Sequence, residues 1–447
     1  MAATQQFFFP DRNLKTNQKI AYINARLIDP ATGLDEKGSL LTEGDIIVDF
    51  GAALFKEGVP EGIEVIDCQG HVLCPGLLDI QVHFREPGQE YKETIASGSK
   101  SAAAGGVTTV VAMANTKPVV DDVSVVEFIK KRARESAYVN VLSYASITKG
   151  LKGEELTEMG LLKEAGAIGF SDDGLPVMNS LVMRRAMEYA SMLGVVIAQH
   201  AEDTHLSNGG CINEGPVSTK LGVVGIPNAS EAIIVERDLL LLELTGGHYH
   251  VLHISTHQAI DAVRRAKKKG LNVTCEAAPH HFALTDEAVL DYRTFAKMNP
   301  PLRAEEDRIA VIEGLKDGTI DAIATDHAPH DQESKRVPLS QAAFGIVGLE
   351  TMLPLSLGLY HQGILPLRDI LGKMTYQPAD IIKTPVGRLK KGAVADLTVI
   401  DLNYDWSINP KSFFSKSHNS PFDNYSTKGR AIRTVVGGQT VYTLGGA

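Results

Sequence analysis

Five stretches of the chain carry side chains suited to holding a metal and moving protons: Asp79, Gln81, His83 and Arg85; Asp172 and Asp173; His200; His253; and Asp326, His327 and His330. Imidazole nitrogen and carboxylate oxygen are the donors that a borderline cation such as Zn2+ accepts, and a catalytic site keeps one position open for water. One such histidine alone reads as a hydrogen-bonded core residue. Five stretches together read as a metal site only if one fold brings distant segments to a common point.

The elements around them describe such a fold. Each stretch closes an apolar, β-branched run, and eight runs can be counted: LLDIQVHF, TTVVAMANT, VNVLSYASIT, AIGFSDDG, VVIAQHAED, YHVLHIST, NVTCEAAPHH and DAIATDHAPH. Segments of helical period separate them, among them VSVVEFIKKRARES, SLVMRRAMEYASML and QAIDAVRRAKKKG. Strand–helix repetition implies a parallel sheet, and eight units over about 250 residues predict a closed (β/α)8 TIM-type barrel, placed at residues 73–384. The active face of a barrel is formed by its C-terminal strand ends, where the polar residues lie. On the first strand, side chains two apart share a face. Asp79, Gln81, His83 and Arg85 are therefore expected toward the axis, and Ile80, Val82 and Phe84 toward the helices. Val/Ile-rich runs broken by Gly, Asp and Pro at both ends of the chain predict a small β-sandwich domain built from residues 18–72 and 385–447, behind an N-terminal tail at 1–17.

Composition excludes several classes. A net charge of −10 argues against nucleic acid or an anionic membrane as partner. No apolar run reaches the roughly 20 residues of a membrane span, and MAATQQFFFPDR lacks the basic start and apolar core of a signal peptide. Four cysteines without a C-x-x-C pair predict a reducing, cytoplasmic setting. No G-x-G-x-x-G or Walker sequence follows a strand, so phosphate-loop nucleotide binding is not expected.

The ordered series PGLLDIQVHFREPG (75–88), AMANTKP (112–118), GFSDDG (169–174), QHAED (199–203), HIST (253–256), MNPPLR (298–303), ATDHAPH (324–330) and AFGIVGLE (343–350) resembles the motifs of class I dihydroorotases, metal-dependent cyclic-amide hydrolases of the amidohydrolase superfamily. The resemblance runs from about residue 20 to the end. It implies reversible hydrolysis of dihydroorotate to N-carbamoyl-L-aspartate in pyrimidine biosynthesis. It also implies His83, Asp173, His200, His253 and Asp326 as metal ligands, Asp326 doubling as general base, with Asp172 as the alternative if the register slips by one. Arg85, Asn115 and His330 match groups that hold the substrate carboxylate; Asn299 and the Phe344-Gly345 backbone match contacts to the ring edge. Arg85 could instead pair with Glu86, and both asparagines stand beside prolines where turn residues are common.

One position departs from the family pattern. Two-metal members read H-x-H on the first strand, and this chain reads Gln81-x-His83. An amide oxygen is a poorer Zn2+ ligand than imidazole, which predicts one tightly held Zn2+ and a weaker second site. The same departure is what an inactive, dihydroorotase-like partner of aspartate transcarbamoylase would show. A hydantoinase or allantoinase is the third reading, disfavoured by Arg85 and by the absence of a lysine in GFSDDG. The resemblance leaves open a homodimer and a transcarbamoylase complex.

Overall fold

The computed structural model describes residues 18–446. The expected tail at 1–17, with its FFFP segment, lies outside the described residues.

Eight parallel strands form the barrel: β1 (Leu77–Val82), β2 (Val107–Ala112), β3 (Asn140–Ser143), β4 (Gly169–Phe170), β5 (Val196–Gln199), β6 (His248–Val251), β7 (Val273–Ala277) and β8 (Ala322–Ile323). Ladders join β1 to β3 and β4 to β8 in chain order. Parallel bridges Ala145↔Phe170 and Val82↔His327 connect the two groups and close the ring. Helices occupy the crossovers, several opened by the side-chain caps that the sequence supplies. Asp122, Asn179 and Thr256 accept from backbone N–H groups of the first turn. The last of these helices, His257–Lys268, buries Ala259, Ile260, Val263 and Ala266 on one face and ends in Arg265, Lys267 and Lys268, which suit the negative end of its dipole.

Two apolar layers result. Leu78, Ile80, Val111, Met113, Leu142, Val196, Ala198, Leu252, Ala322 and Ala324 come from six strands and meet one another inside the ring. Val82, Phe84, Val110, Val141, Ile197, Val251 and Ile323 pack outward with helix residues. This corrects the simple alternation expected for β1. A register shift between Asp79 and Val82 breaks the period of two, so Leu78 and Ile80 fill the barrel interior. Asp79 instead accepts from the backbone N–H and hydroxyl of Thr325, which ties β1 to the end of β8. Beyond the shift the expected pattern resumes.

The end segments build one further sheet, an eight-stranded β layer of the sandwich type. Val72–Pro75 pairs in parallel with Lys19–Asp29 and antiparallel with Leu397–Ser407, so the two ends of the chain share hydrogen bonds. That strand straddles the expected boundary at 72/73. Only Gly76 separates it from β1, and a Cβ there would stand 2.1 Å from the Thr108 hydroxyl, so the crossing needs glycine. No helix among the described residues is long and apolar enough to cross a membrane.

Candidate metal centre and substrate pocket

The strand ends that carry the candidate residues leave the barrel through unusual backbone. Arg85 (φ 60°), His253 (φ 32°) and Asp326 (φ 49°) all occupy the left-handed region, which costs a non-glycine residue about 1–3 kcal/mol. Backbone bonds from His83 N to His327 O and from Ile254 N to Glu276 O hold these turns. Three strained turns at one mouth are the backbone signature of a functional site.

Asp173 sits at the centre. Its Oδ2 lies 3.1 Å from His83 Nε2, and its Oδ1 lies 3.5 Å from His200 Nδ1 and 3.4 Å from His253 Nε2. Asp326 Oδ1 reaches the same His83 nitrogen at 3.1 Å. None of the five is more than 6% exposed. They form two triads, His83–Asp173–Asp326 and Asp173–His200–His253, whose donor atoms all lie within 4.8 Å of one another. Asp172 is elsewhere. Its carboxylate accepts from Ile147 N at 2.7 Å and Thr148 N at 3.0 Å, fastening the turn after β3.

The chemistry of this donor set fits a divalent cation. His200 Nδ1 and His253 Nε2 are 3.0 Å apart, facing the same carboxylate. Burial opposes a charged imidazole, yet Asp173 and Asp326 lift His83 to about 9, and Asp173 and Glu202 lift His200 to about 10. Burial would raise Asp173, but the three imidazoles hold it well below the usual carboxylate range. Protons thus bind tightly where a cation would replace them. Outer partners also orient the rings. Asn115 Oδ1 faces His83 Nδ1 at 2.9 Å, and Glu202 Oε2 faces His200 Nε2 at 2.8 Å, which leaves the inward nitrogen of each ring as the acceptor a metal needs. Gln81 donates from Nε2 to Asp173 Oδ2 at 3.3 Å, and its buried Oε1 has no hydrogen-bond partner among the described residues.

The substrate candidates lie on the same mouth. Arg85 is 9% exposed; its Nε donates to Pro329 O at 3.3 Å and its Nη2 lies 3.5 Å from His330 Nε2. Burial lowers this guanidinium to about 10, and burial together with Arg85 keeps the His330 ring neutral. The Arg85–Glu86 pair is not formed: Glu86 binds Arg132 at 2.7 Å and accepts from Ile95 N. Asn115, expected at the substrate, turns its amide into the cluster, donating to Asp173 O at 3.2 Å as well as facing His83. Asn299 donates to Glu202 Oε2 at 2.8 Å and lies 3.4 Å from His200 Nε2. Gly345 has both backbone groups engaged, its N–H on Lys297 O and its carbonyl on Lys335 and Asn419. Phe344 beside it stacks under the Lys297 ammonium at 4.3 Å.

Glu202, Lys297, Lys335 and Asn419 were not singled out from sequence. Glu202 had a legible signal, standing two residues after His200 on a strand end. The others, Lys335 among them at the end of the short helix Gln332–Lys335, stand where spacing carries none.

A parallel eight-stranded barrel with a side sheet and a buried His/Asp cluster at its strand ends is the architecture of the metal-dependent amidohydrolases. Solved hydantoinases share this fold. The L-hydantoinase (dihydropyrimidinase) from Arthrobacter aurescens superposes with a TM-score of 0.86 at 26% identity, covering 96% of each chain. The D-hydantoinase from Thermus sp. gives 0.79 at 26% identity, covering 94% of each. Sequence likeness narrows the family further. A profile described as dihydro-orotase-like matches residues 70–259. Proteins named dihydroorotase are 61% identical over 442 residues in Wolbachia sp. subsp. Brugia malayi, covering 98% of this chain and 99% of that one. In Ehrlichia chaffeensis the identity is 59% over 425 residues, covering 95% of each. The chain belongs to the dihydroorotase family.

Proposed function

We propose that the chain hydrolyses dihydroorotate reversibly to N-carbamoyl-L-aspartate, with Zn2+ as its metal. The observation that carries this reading is the buried Arg85 guanidinium, two residues past His83 on the same strand end and beside a neutral His330. A cyclic amide bearing a carboxylate places its reacting carbonyl at the metal cluster while a planar guanidinium takes the carboxylate in two parallel hydrogen bonds. A neutral hydantoin has no use for that charge.

His83, Asp173 and Asp326 would hold one ion, and Asp173, His200 and His253 the other. A bound divalent cation supplies a more acidic water and a polarised amide carbonyl. Asp326 takes the proton of the attacking water as its oxygen bonds to the carbonyl carbon. Asp326 then returns that proton to the ring nitrogen as the C–N bond breaks. Arg85 and His330 fix the carboxylate end, Asn299 and Phe344 flank the ring, and Asn115 and Glu202 keep the imidazoles turned. The reverse path closes the ring with loss of water. The four free cysteines suit a reducing cytoplasm.

Gln81 is the observation that favours a second reading, an inactive structural partner of aspartate transcarbamoylase. One experiment separates the readings: turnover of dihydroorotate, hydantoin and allantoin by zinc-loaded protein, with metal content measured in parallel. Turnover of dihydroorotate alone supports the proposal. Bound zinc with no dihydroorotate turnover refutes it, and no retained zinc with no turnover passes the argument to the structural partner.

A further inference from the structure

Two lysines are buried where no acid answers them. Lys335 is 0% and Lys297 2% exposed, and neither makes an ion pair among the described residues. A buried ammonium is costly unless its hydrogens are all received. Lys335 Nζ meets that need with three carbonyls, Ala343 O at 2.7 Å, Lys297 O at 3.0 Å and Gly345 O at 3.0 Å. Lys297 Nζ in turn donates to Leu339 O at 2.7 Å and Ser340 O at 3.3 Å. Burial, with the neighbouring Lys297, brings the Lys335 ammonium down to about 7, and three carbonyls receive its hydrogens.

The three carbonyls belong to two segments that the proposed chemistry needs in fixed relation. Lys297 lies two residues before Asn299, whose amide reaches Glu202 beside the cluster. Ala343 and Gly345 bracket Phe344. Gly345 also packs on Ala328 and His330, since a Cβ there would meet Ala328 Cβ at 2.6 Å and His330 Cδ2 at 3.4 Å. Asn419 grips the assembly from the opposite side, donating to Gly345 O and Ala328 O at 3.0 Å each and accepting from His330 N.

We infer that Lys335 is a positioning residue for substrate: by tying Lys297 O, Ala343 O and Gly345 O to one Nζ, it sets the Phe344 segment at its working distance from Asn299 and His330. This rests on the dihydroorotase reading, because it assigns the pocket that Lys335 shapes to dihydroorotate. Lys335 Nζ bonds only backbone carbonyls and lies outside the His/Asp cluster, so its effect falls on binding.

The test uses the full-length, zinc-loaded enzyme and the variants Lys335→Gln, which keeps two donors without the charge, and Lys335→Met, which keeps neither. KM for dihydroorotate should rise roughly tenfold in the first and a hundredfold in the second, the scale expected for a misplaced binding group. Turnover number and zinc content should hold within a factor of about three, since the cluster is untouched. Amide hydrogen exchange should quicken at 343–346 and remain unchanged at 171–173. An unchanged KM in soluble Lys335→Gln overturns the inference, as does equal loss of kcat and zinc. Failure of Lys335→Gln to fold also overturns it, by assigning the lysine to the fold. If wild-type enzyme turns over no dihydroorotate, the functional reading has failed first; if it turns over normally and the variants match it, only the role of Lys335 has failed.

Discussion

Removing the Arg85 guanidinium should damage one substrate and spare another. Arg85 is buried, held at one edge by Pro329 O and near His330 at the other, so a carboxylate delivered to it would be read in a site largely closed to water. Each hydrogen bond to a charged partner contributes about 1.5–3 kcal/mol. Two of them come to about 3–6 kcal/mol, or roughly a 10²- to 10⁴-fold loss of kcat/KM for dihydroorotate in Arg85→Met. Arg85→Lys keeps a charge but offers a point donor and gives up the bond to Pro329, so about 10- to 100-fold is expected. Methionine fills much of the vacated volume and removes a cation that burial already disfavours, so thermal stability should hold or rise slightly. The assay compares initial rates on dihydroorotate and on 5,6-dihydrouracil, the neutral ring without the carboxylate. With dihydrouracil, wild type and Arg85→Met should agree within about threefold, because that substrate gives the guanidinium nothing to hold. Equal losses on both substrates would refute the reasoning and make Arg85 a brace for the loop after β8.

Three other outcomes are expected. Asp326→Asn should stay folded and lose about 10²- to 10⁴-fold in kcat, checked by steady-state rates and circular dichroism; retention of a tenth of wild-type activity removes it as the base. Gln81→His should tighten retention of a second zinc by about 10- to 100-fold, read as metal per chain after dialysis against a graded chelator; two equally tight ions in the wild type would contradict the weak-site reading. Burial raises Glu350 to about 7 against the opposing pull of donors Ser101 Oγ and Phe414 N, so folding favours its neutral form. Its contribution is full below the ordinary carboxyl range and is lost as pH rises through about 7. The Tm of Glu350→Gln should therefore gain on wild type between pH 5 and 8, and a constant difference would exclude the linkage.

The alternation of eight apolar runs with helical segments is legible in the chain alone, because strand and helix periods are local properties. So is the placement of imidazoles and carboxylates at the ends of those runs, which is enough to name a barrel and a metal-type mouth. The remaining choices depend on contacts between distant segments. Asp172 and Asp173 are equivalent in a strand-end motif, and only the turn after β3, which takes Asp172 into its own hydrogen bonds, leaves Asp173 for the histidines. The break in β1 could not be read from a period of two, since it follows from pairing Asp79 with Thr325, 246 residues away. Asn115 could be placed near the mouth, but its orientation depends on His83 and on the carbonyl of Asp173, 58 residues distant. Lys335 and Asn419 carried no signal, because what gives them meaning is the carbonyls of other loops. Local periodicity says which face a residue belongs to; which partner meets it there is decided by closing the ring.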